Sequence, residues 1–387
     1  MKRKRLGLMT LLSVVLLTGC WDRREINDVG FAMATAMDRQ SNGKFLFTVQ
    51  VAVPTALSQS ARGMSNQGTE PVMMVQAEGE DFTNLTWDLQ KQMSRQLNTS
   101  HRRVLAVGED MAKYGLQDLL DELSRSPANR LRTYLIVARG RQARDLLNIT
   151  YPIEAYPSEA IREMEKMGLG TGSTLRDFFI EATQPGSQPV VTSYKLSDKK
   201  PRLFQTEGIA VFRDLKLVGF VEGDGVQGLL MLKDKFKQGT VTLKIPSGGE
   251  HFLTVQLKKV HPTAKVELQR GKPVVSYHIK AEGVVVHNTT RLDLMNPKYI
   301  EELNRALSDK IVLDIQDAIH QLQKYKSDGI ASGTEIYRHY PDEWEKLKKN
   351  WPDVFAKQKF AVTVEAQVRQ IGMLGPQLEL PSSEVVR

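Results

Sequence analysis

The sequence predicts a multidomain chain of mixed α/β and α+β class, in which an N-terminal α/β region is followed by an antiparallel sheet covered by one long helix. Three patterns carry this expectation. Apolar runs with strand and helix periods alternate up to about residue 182, short apolar runs follow one another between residues 206 and 286, and a single apolar stripe at helical spacing then runs for about eight turns.

The order of elements begins with an alternating stretch from Ile26 to Ser58 around an Asn42-Gly43 turn, which predicts a hairpin with Phe45, Phe47, Val49, Val51 and Val53 on one face of the return strand. Gln59 to Pro71 is rich in Ser, Gly, Asn and Gln and predicts an exposed loop. Val72 to Ala77 predicts a strand. Phe82, Leu85, Leu89, Met93 and Leu97 then recur at helical spacing behind Asp81 as N-cap. Strands at Arg103 to Val107 and Arg132 to Ala138 alternate with helices at Met111 to Leu123 and Gln142 to Leu147. Two more helices, near Ser158 to Met167 and Thr174 to Ala182, are separated by the breaker Gly168 to Gly172.

A second region opens near Thr206. Gly208 to Phe212 and Leu215 to Val221 flank Arg213-Asp214 as a hairpin, and strands at Thr240 to Ile245, His251 to Val260, Lys265 to Gln269 and Val274 to Val286 follow. Asn296 as N-cap and Pro297 at the first helical position start the long helix, whose stripe runs from Ile300 through Leu303, Leu307, Ile311, Ile315 and Ile319 to Tyr325. A short helix from Pro341 to Asn350 and a strand from Phe360 to Ile371 close the unit, and the tail is expected to be loose. The expected domains are a leader at 1–19, an α/β domain at 20–200, an α+β domain at 201–375 with a further division near 246 left open, and the tail at 376–387.

The first residues carry the clearest motif. Lys2, Arg3, Lys4 and Arg5 precede an uncharged run from Leu6 to Thr18, which is too short to span a membrane and has the n-region and h-region of an export signal. Leu17-Thr18-Gly19-Cys20 follows and resembles the lipobox of bacterial lipoproteins, making Cys20 the mature N-terminus. It is the only cysteine in 387 residues. A diacylglyceryl group on its sulfur would attach the body to membrane lipid, since burial stabilises by about 0.8 kcal/mol per methylene and two chains hold where one does not. No thiol then remains for disulfides, a thiolate nucleophile or Cys-ligated metal. Removal of residues 1–19 leaves 49 Lys and Arg against 45 Asp and Glu, so the net charge falls from +8 to +4 and nucleic acid is not an expected partner.

Other motifs point to no chemistry. Gly223-Asp224-Gly225-Val226-Gln227-Gly228 matches the dinucleotide pattern, but the strand before it closes a hairpin and the βαβ unit is missing, so a glycine-rich loop is expected. Ser197 and Lys200 have S-x-x-K spacing but lack the companion motifs. The seven histidines are dispersed, with His278 and His287 the pair that a bend could bring together. Trp344 and Trp351 suggest a clasp over the C-terminal core, and Arg102-Arg103 a charged flank to a strand. No catalytic, cofactor-binding or metal residue is expected.

Cys20-Trp21-Asp22-Arg23-Arg24-Glu25-Ile26-Asn27-Asp28, with Asp38 closing the first strand, resembles the mature start of the Ger(x)C lipoproteins, the C subunits of spore germinant receptors. Gly208-Ile209-Ala210-Val211-Phe212 with Lys216-Leu217-Val218-Gly219 is similar to the opening of that family's C-terminal domain, and the long helix, Tyr340-Pro341, Trp344, Trp351 and last strand to its close. Asp328 to Gly333 departs from the more apolar stretch expected there. The resemblance implies a mixed α/β fold without enzymatic activity. It also implies an outward-facing, lipid-anchored position at the spore inner membrane, and partnership with an integral membrane A subunit and a permease-like B subunit in assembly or signal coupling. The competing expectation is a substrate-binding lipoprotein of a transporter, which needs two similar lobes; a third, an envelope hydrolase, lacks its motifs.

Overall fold

The computed structural model describes residues 28–53, 71–126, 128–270 and 272–372. The leader, Cys20, the loop expected at 59–71 except for its last residue, and the tail lie outside them. The described chain builds two sheets.

The first sheet comes from the alternating region. β1 (Val29–Arg39) and β2 (Phe45–Ala52) form the expected hairpin, with Gly43 in the left-handed region, and β3 (Val72–Gly79) extends it. β4 (Gln96–Asn98) and β5 (Val104–Gly108) both run parallel to β1, and β6 (Tyr134–Ala138) and β7 (Val190–Leu196) continue the parallel set. An antiparallel pair, β8 (Phe204–Arg213) and β9 (Lys216–Val221), ends the order β3-β2-β1-β5-β6-β7-β8-β9.

Helices cover both faces, so the strands are buried on both sides, as parallel sheets require. Leu105, Val107, Leu135 and Val137 pack toward α1 (Phe82–Gln90), α2 (Glu109–Tyr114), α3 (Gln117–Arg125) and α6 (Leu175–Thr183). Their neighbours Val104, Ala106, Ile136 and Ala138 pack toward α4 (Ala143–Leu147) and α5 (Pro157–Met167). The single apolar face expected for β2 is therefore half of the truth, because Phe45 through Val51 are all buried.

Three local expectations change. α1 stops at Gln90 instead of running to Leu97, because the Gln90 side chain accepts from Leu97 N (2.8 Å) and donates to Arg95 O (2.9 Å), turning the chain into β4. The helix expected from Met111 to Leu123 is two helices, separated at Gly115, whose φ of +131° no helix allows. β7 was not anticipated at all, since Thr192, Ser193 and Lys195 interrupt its apolar run. Inside the sheet those hydroxyls have partners: Thr192 Oγ1 donates to Glu165 (3.0 Å) and Ser193 Oγ to Gly208 O (3.1 Å).

The second sheet has order β10-β11-β12-β13, made of β10 (Gly239–Leu243), β11 (Leu253–Gln269), β12 (Lys272–Asn288) and β13 (Ala361–Gln370). It is not wholly antiparallel, because β13 runs parallel to β12 after the intervening helices carry the chain back. Pro262 does not end β11. β10 pairs only with Leu253–Leu257, so Pro262 sits where that side of β11 has no strand partner and a missing N–H costs nothing. α8 (Pro297–Lys324) covers the sheet as expected, with the Asn296 side chain accepting from Lys298 N (3.0 Å) and Leu303, Leu307, Ile311, Ile315 and Leu322 buried. α7 (Gly225–Leu232), α9 (Ser332–His339), α10 (Pro341–Leu347) and α11 (Trp351–Lys357) complete the layer.

The hairpin expected to open the second region belongs to the first sheet, through β8 pairing with β7. The first sheet thus crosses residue 200.

Candidate functional site

Leu17, Thr18, Gly19 and Cys20 lie outside the described residues. No helix among the described residues is long and apolar enough to cross a membrane.

The glycine motif is a helix-packing device. Contrary to the expected loop, Gly225 opens α7, and a Cβ on Gly228 would overlap the Asp314 carbonyl and Ile315 nitrogen of α8. Gln321 of α8 clamps the entry by accepting from Glu222 N (2.9 Å) and donating to Glu222 O (3.1 Å), and Lys310 bridges Asp224 and Asp314 (2.5 and 2.6 Å). The next strand, β10, lies in the other sheet, so no βαβ unit forms around the glycines.

His278 and His287 stand nine residues apart on the one strand β12, which separates them by about 30 Å at 3.3 Å per residue. They cannot share a ligand. Among the described residues, no group of three or more His, Asp or Glu side chains is placed to hold a metal ion.

Among the described residues, a dense polar constellation forms at the departure from the family pattern, Asp328 to Gly333. The buried Asp328 carboxylate accepts from Ser332 N (3.0 Å), Ser332 Oγ (2.8 Å), Gly333 N (2.8 Å) and Trp351 Nε1 (3.1 Å). Burial raises its pKa above the usual carboxylate value, while the four donors oppose the rise. Trp351 in turn meets Trp344 edge to face at 5.2 Å, and both indoles are buried, so the expected clasp exists and is pinned to an acid.

Around this acid the two sheets meet. Gln188 N donates to Asp328 O (3.0 Å), Thr334 Oγ1 to Pro185 O (2.8 Å), Ser327 Oγ to Phe212 O (2.5 Å) and Arg213 to Tyr325 O (3.0 Å). Gly186 lies so close to Gly333 that a Cβ on it would overlap the Gly333 backbone. Lys233 spans the seam, paired with Glu181 at 2.9 Å and donating to Gly329 O at 2.9 Å, both side chains largely buried. The seam thus joins the two sheets through largely buried polar contacts.

Arg102 adds a buried cation to this picture. With Arg103 it flanks the start of β5, as the sequence predicts, but from inside the fold: it is buried, donates to Thr35 Oγ1 (3.3 Å) and Asn129 Oδ1 (3.1 Å), and burial pushes its pKa down to about 10. The signal was present, since Arg102-Arg103 and Arg130/Arg132 precede two strands that prove to be parallel neighbours.

Comparison with known proteins agrees with this architecture. The family described as spore germination protein N-terminal domain matches residues 22–196, and that described as spore germination B3/GerAC like, C-terminal, matches residues 207–372. YfkR of Bacillus subtilis (strain 168), provisionally named a spore germination protein, is 29% identical over 373 residues, covering 95% of this chain and 96% of its own. The spore germination protein KC of the same organism is 25% identical over 392 residues, with the same coverage of 95% and 96%. The crystal structure of the GerBC protein superposes with a TM-score of 0.55 at 19% identity, over 90% of this chain and 100% of that one, and so shares the fold. With the two family matches laid end to end over both sheets, the chain belongs to the Ger(x)C family of spore germination proteins.

Proposed function

We propose that the chain is a non-catalytic subunit of a nutrient germinant receptor, anchored by a lipid on Cys20 at the outer face of the spore inner membrane. There it would serve receptor assembly or signal coupling beside an integral membrane A subunit and a permease-like B subunit. The observation that carries the reading is coverage: relatives named for spore germination match the chain nearly end to end. The lipobox Leu17-Thr18-Gly19-Cys20 supplies the attachment, and the seam at Asp328 gives the body a route for coupling. Residues 20–200 and 201–375 are proposed as its two segments, with the hairpin of β8 and β9 carrying the second into the sheet of the first.

The transporter-binding alternative finds no support. Its two lobes should match, whereas one sheet here has nine strands around a parallel centre and the other has four. The test is co-purification from solubilised spore membranes. The chain should elute with A-type and B-type subunits, and Cys20→Ala should release it from the membrane fraction; a chain that never associates with either subunit refutes the receptor role.

A further inference from the structure

A cleft of about 510 Å³ opens at the edge of the first sheet, lined by Ser100, His101, Arg102, Arg103, Arg130, Arg132, Tyr134, Arg162 and Lys166. Six of these nine side chains are cationic. The carboxylates around them are these: Glu159 and Glu163 pair with Arg162, Glu163 also with Lys166 (3.1 Å), Glu122 lies near Arg102, Glu165 and Asp177 act on Tyr134, and Glu154 lies with Arg103 around Tyr156. Among the described residues, Arg103, Arg130 and Arg132 have no ion-pair partner. Planar guanidinium forks match the oxygens of a phosphate, and the exposed Arg130 and Arg132 are free to present theirs to one.

The position of the cleft narrows the ligand. β1 and β5 run parallel, so the starts of β5 and β6, where these arginines cluster, lie at the same end of the sheet as the start of β1; His101 touches Phe31 there at 5.1 Å. The chain enters β1 from Cys20, eight residues before Asp28, a span of at most about 30 Å when extended. The cleft is therefore within reach of the headgroup layer to which Cys20 would be attached.

We propose that this cleft is a phosphate-binding site whose source in place is the headgroup of an anionic phospholipid, fixing the orientation of the body on the membrane. The choice of lipid over soluble phosphate rests on the anchoring at Cys20; the phosphate chemistry does not.

The test uses the full chain, purified in a neutral detergent and also reconstituted into phosphatidylcholine vesicles with or without phosphatidylglycerol. Backbone hydrogen exchange of residues 100–103 and 130–134 should slow about tenfold with phosphatidylglycerol and, in detergent, with inorganic phosphate. Arg130→Gln with Arg132→Gln, two exposed positions, should abolish both effects without changing exchange elsewhere. Protection by phosphatidylglycerol upholds the lipid source, and protection by inorganic phosphate alone upholds the site while overturning that source. Exchange that is the same in every condition, or protection that survives the double variant, overturns the proposal. So does loss of A- or B-subunit co-purification in the double variant with exchange unaltered, which would assign the cleft to an acidic protein segment. An unmodified Cys20 thiol would refute the anchor alone, since the inorganic phosphate arm does not depend on it.

Discussion

Asp38 shows how a single buried acid can organise a distant segment. Its carboxylate accepts from Ala143 N (2.6 Å) and Arg144 N (3.1 Å), capping α4 from 105 residues away, and burial pushes its pKa up to about 6. Because the folded value lies above the unfolded one, the folded state holds the extra proton between about pH 4 and 6. The associated stability is present at low pH and lost as pH rises through 6. Asp38→Asn abolishes this titration, so wild type should gain on the variant by about 2 kcal/mol between pH 7.5 and pH 4.5. Thermal unfolding at the two pH values measures it, and a gap independent of pH would contradict the assignment. At Asp328 the expectation is larger: Asp328→Ala leaves two amides, a hydroxyl and the Trp351 indole N–H without their acceptor and should cost more than about 3 kcal/mol. Loss of the buried-tryptophan fluorescence signature at lowered temperature would report it. The sequence shows both acids, but neither role, because the groups that surround them come from segments far along the chain.

Among the elements, α8 was legible and α7 was not. α8 presents a cap, a proline at N1 and one apolar stripe facing one sheet, which is the pattern that a helix half in solvent must have. Asn296→Ala should lower stability by about 1 kcal/mol through the lost acceptor for Lys298 N. α7 has no stripe, since Gly225 and Gly228 through Leu232 are all buried between α8 and the strands, and a helix enclosed on every side shows no periodicity. Gly228→Ala discriminates the two demands on it. Helix propensity alone favours alanine by about 1 kcal/mol, whereas the Asp314 carbonyl leaves no room for the methyl, so we expect net destabilisation of about 1–3 kcal/mol. A more stable variant in chemical denaturation would show that α7 and α8 part easily. β11 makes the same point in reverse: Pro262 looks like a terminator in sequence and is harmless where it stands, at an unpaired edge that only the sheet order reveals.

At the scale of the molecule, the seam should make the two sheets unfold together. Ser327 with Phe212, Thr334 with Pro185 and Lys233 with Glu181 bind segments from both sides, and the core of the second sheet takes in Val190, Ile209, Val211 and Val221 from the first. Calorimetry of the full chain in detergent should therefore show one transition. Gly186→Val forces a side chain into the Gly333 backbone at a left-handed φ of +69°, and it should split that transition in two; two transitions already in the wild type would sink the idea of a rigid seam. By itself the sequence determined the alternation of strands and helices, the capped long helix and the family, because each is written in neighbouring residues through charge, period or a cap. Tertiary structure alone decided that the hairpin at 204–221 completes the first sheet, that a polar-looking β7 lies in its middle, that Asp328 joins the sheets, and that arginines 28 residues apart line one cleft. The reason is that local periodicity records which face of an element is buried but not against what, and each of these features is a contact between segments that no repeat in the sequence connects.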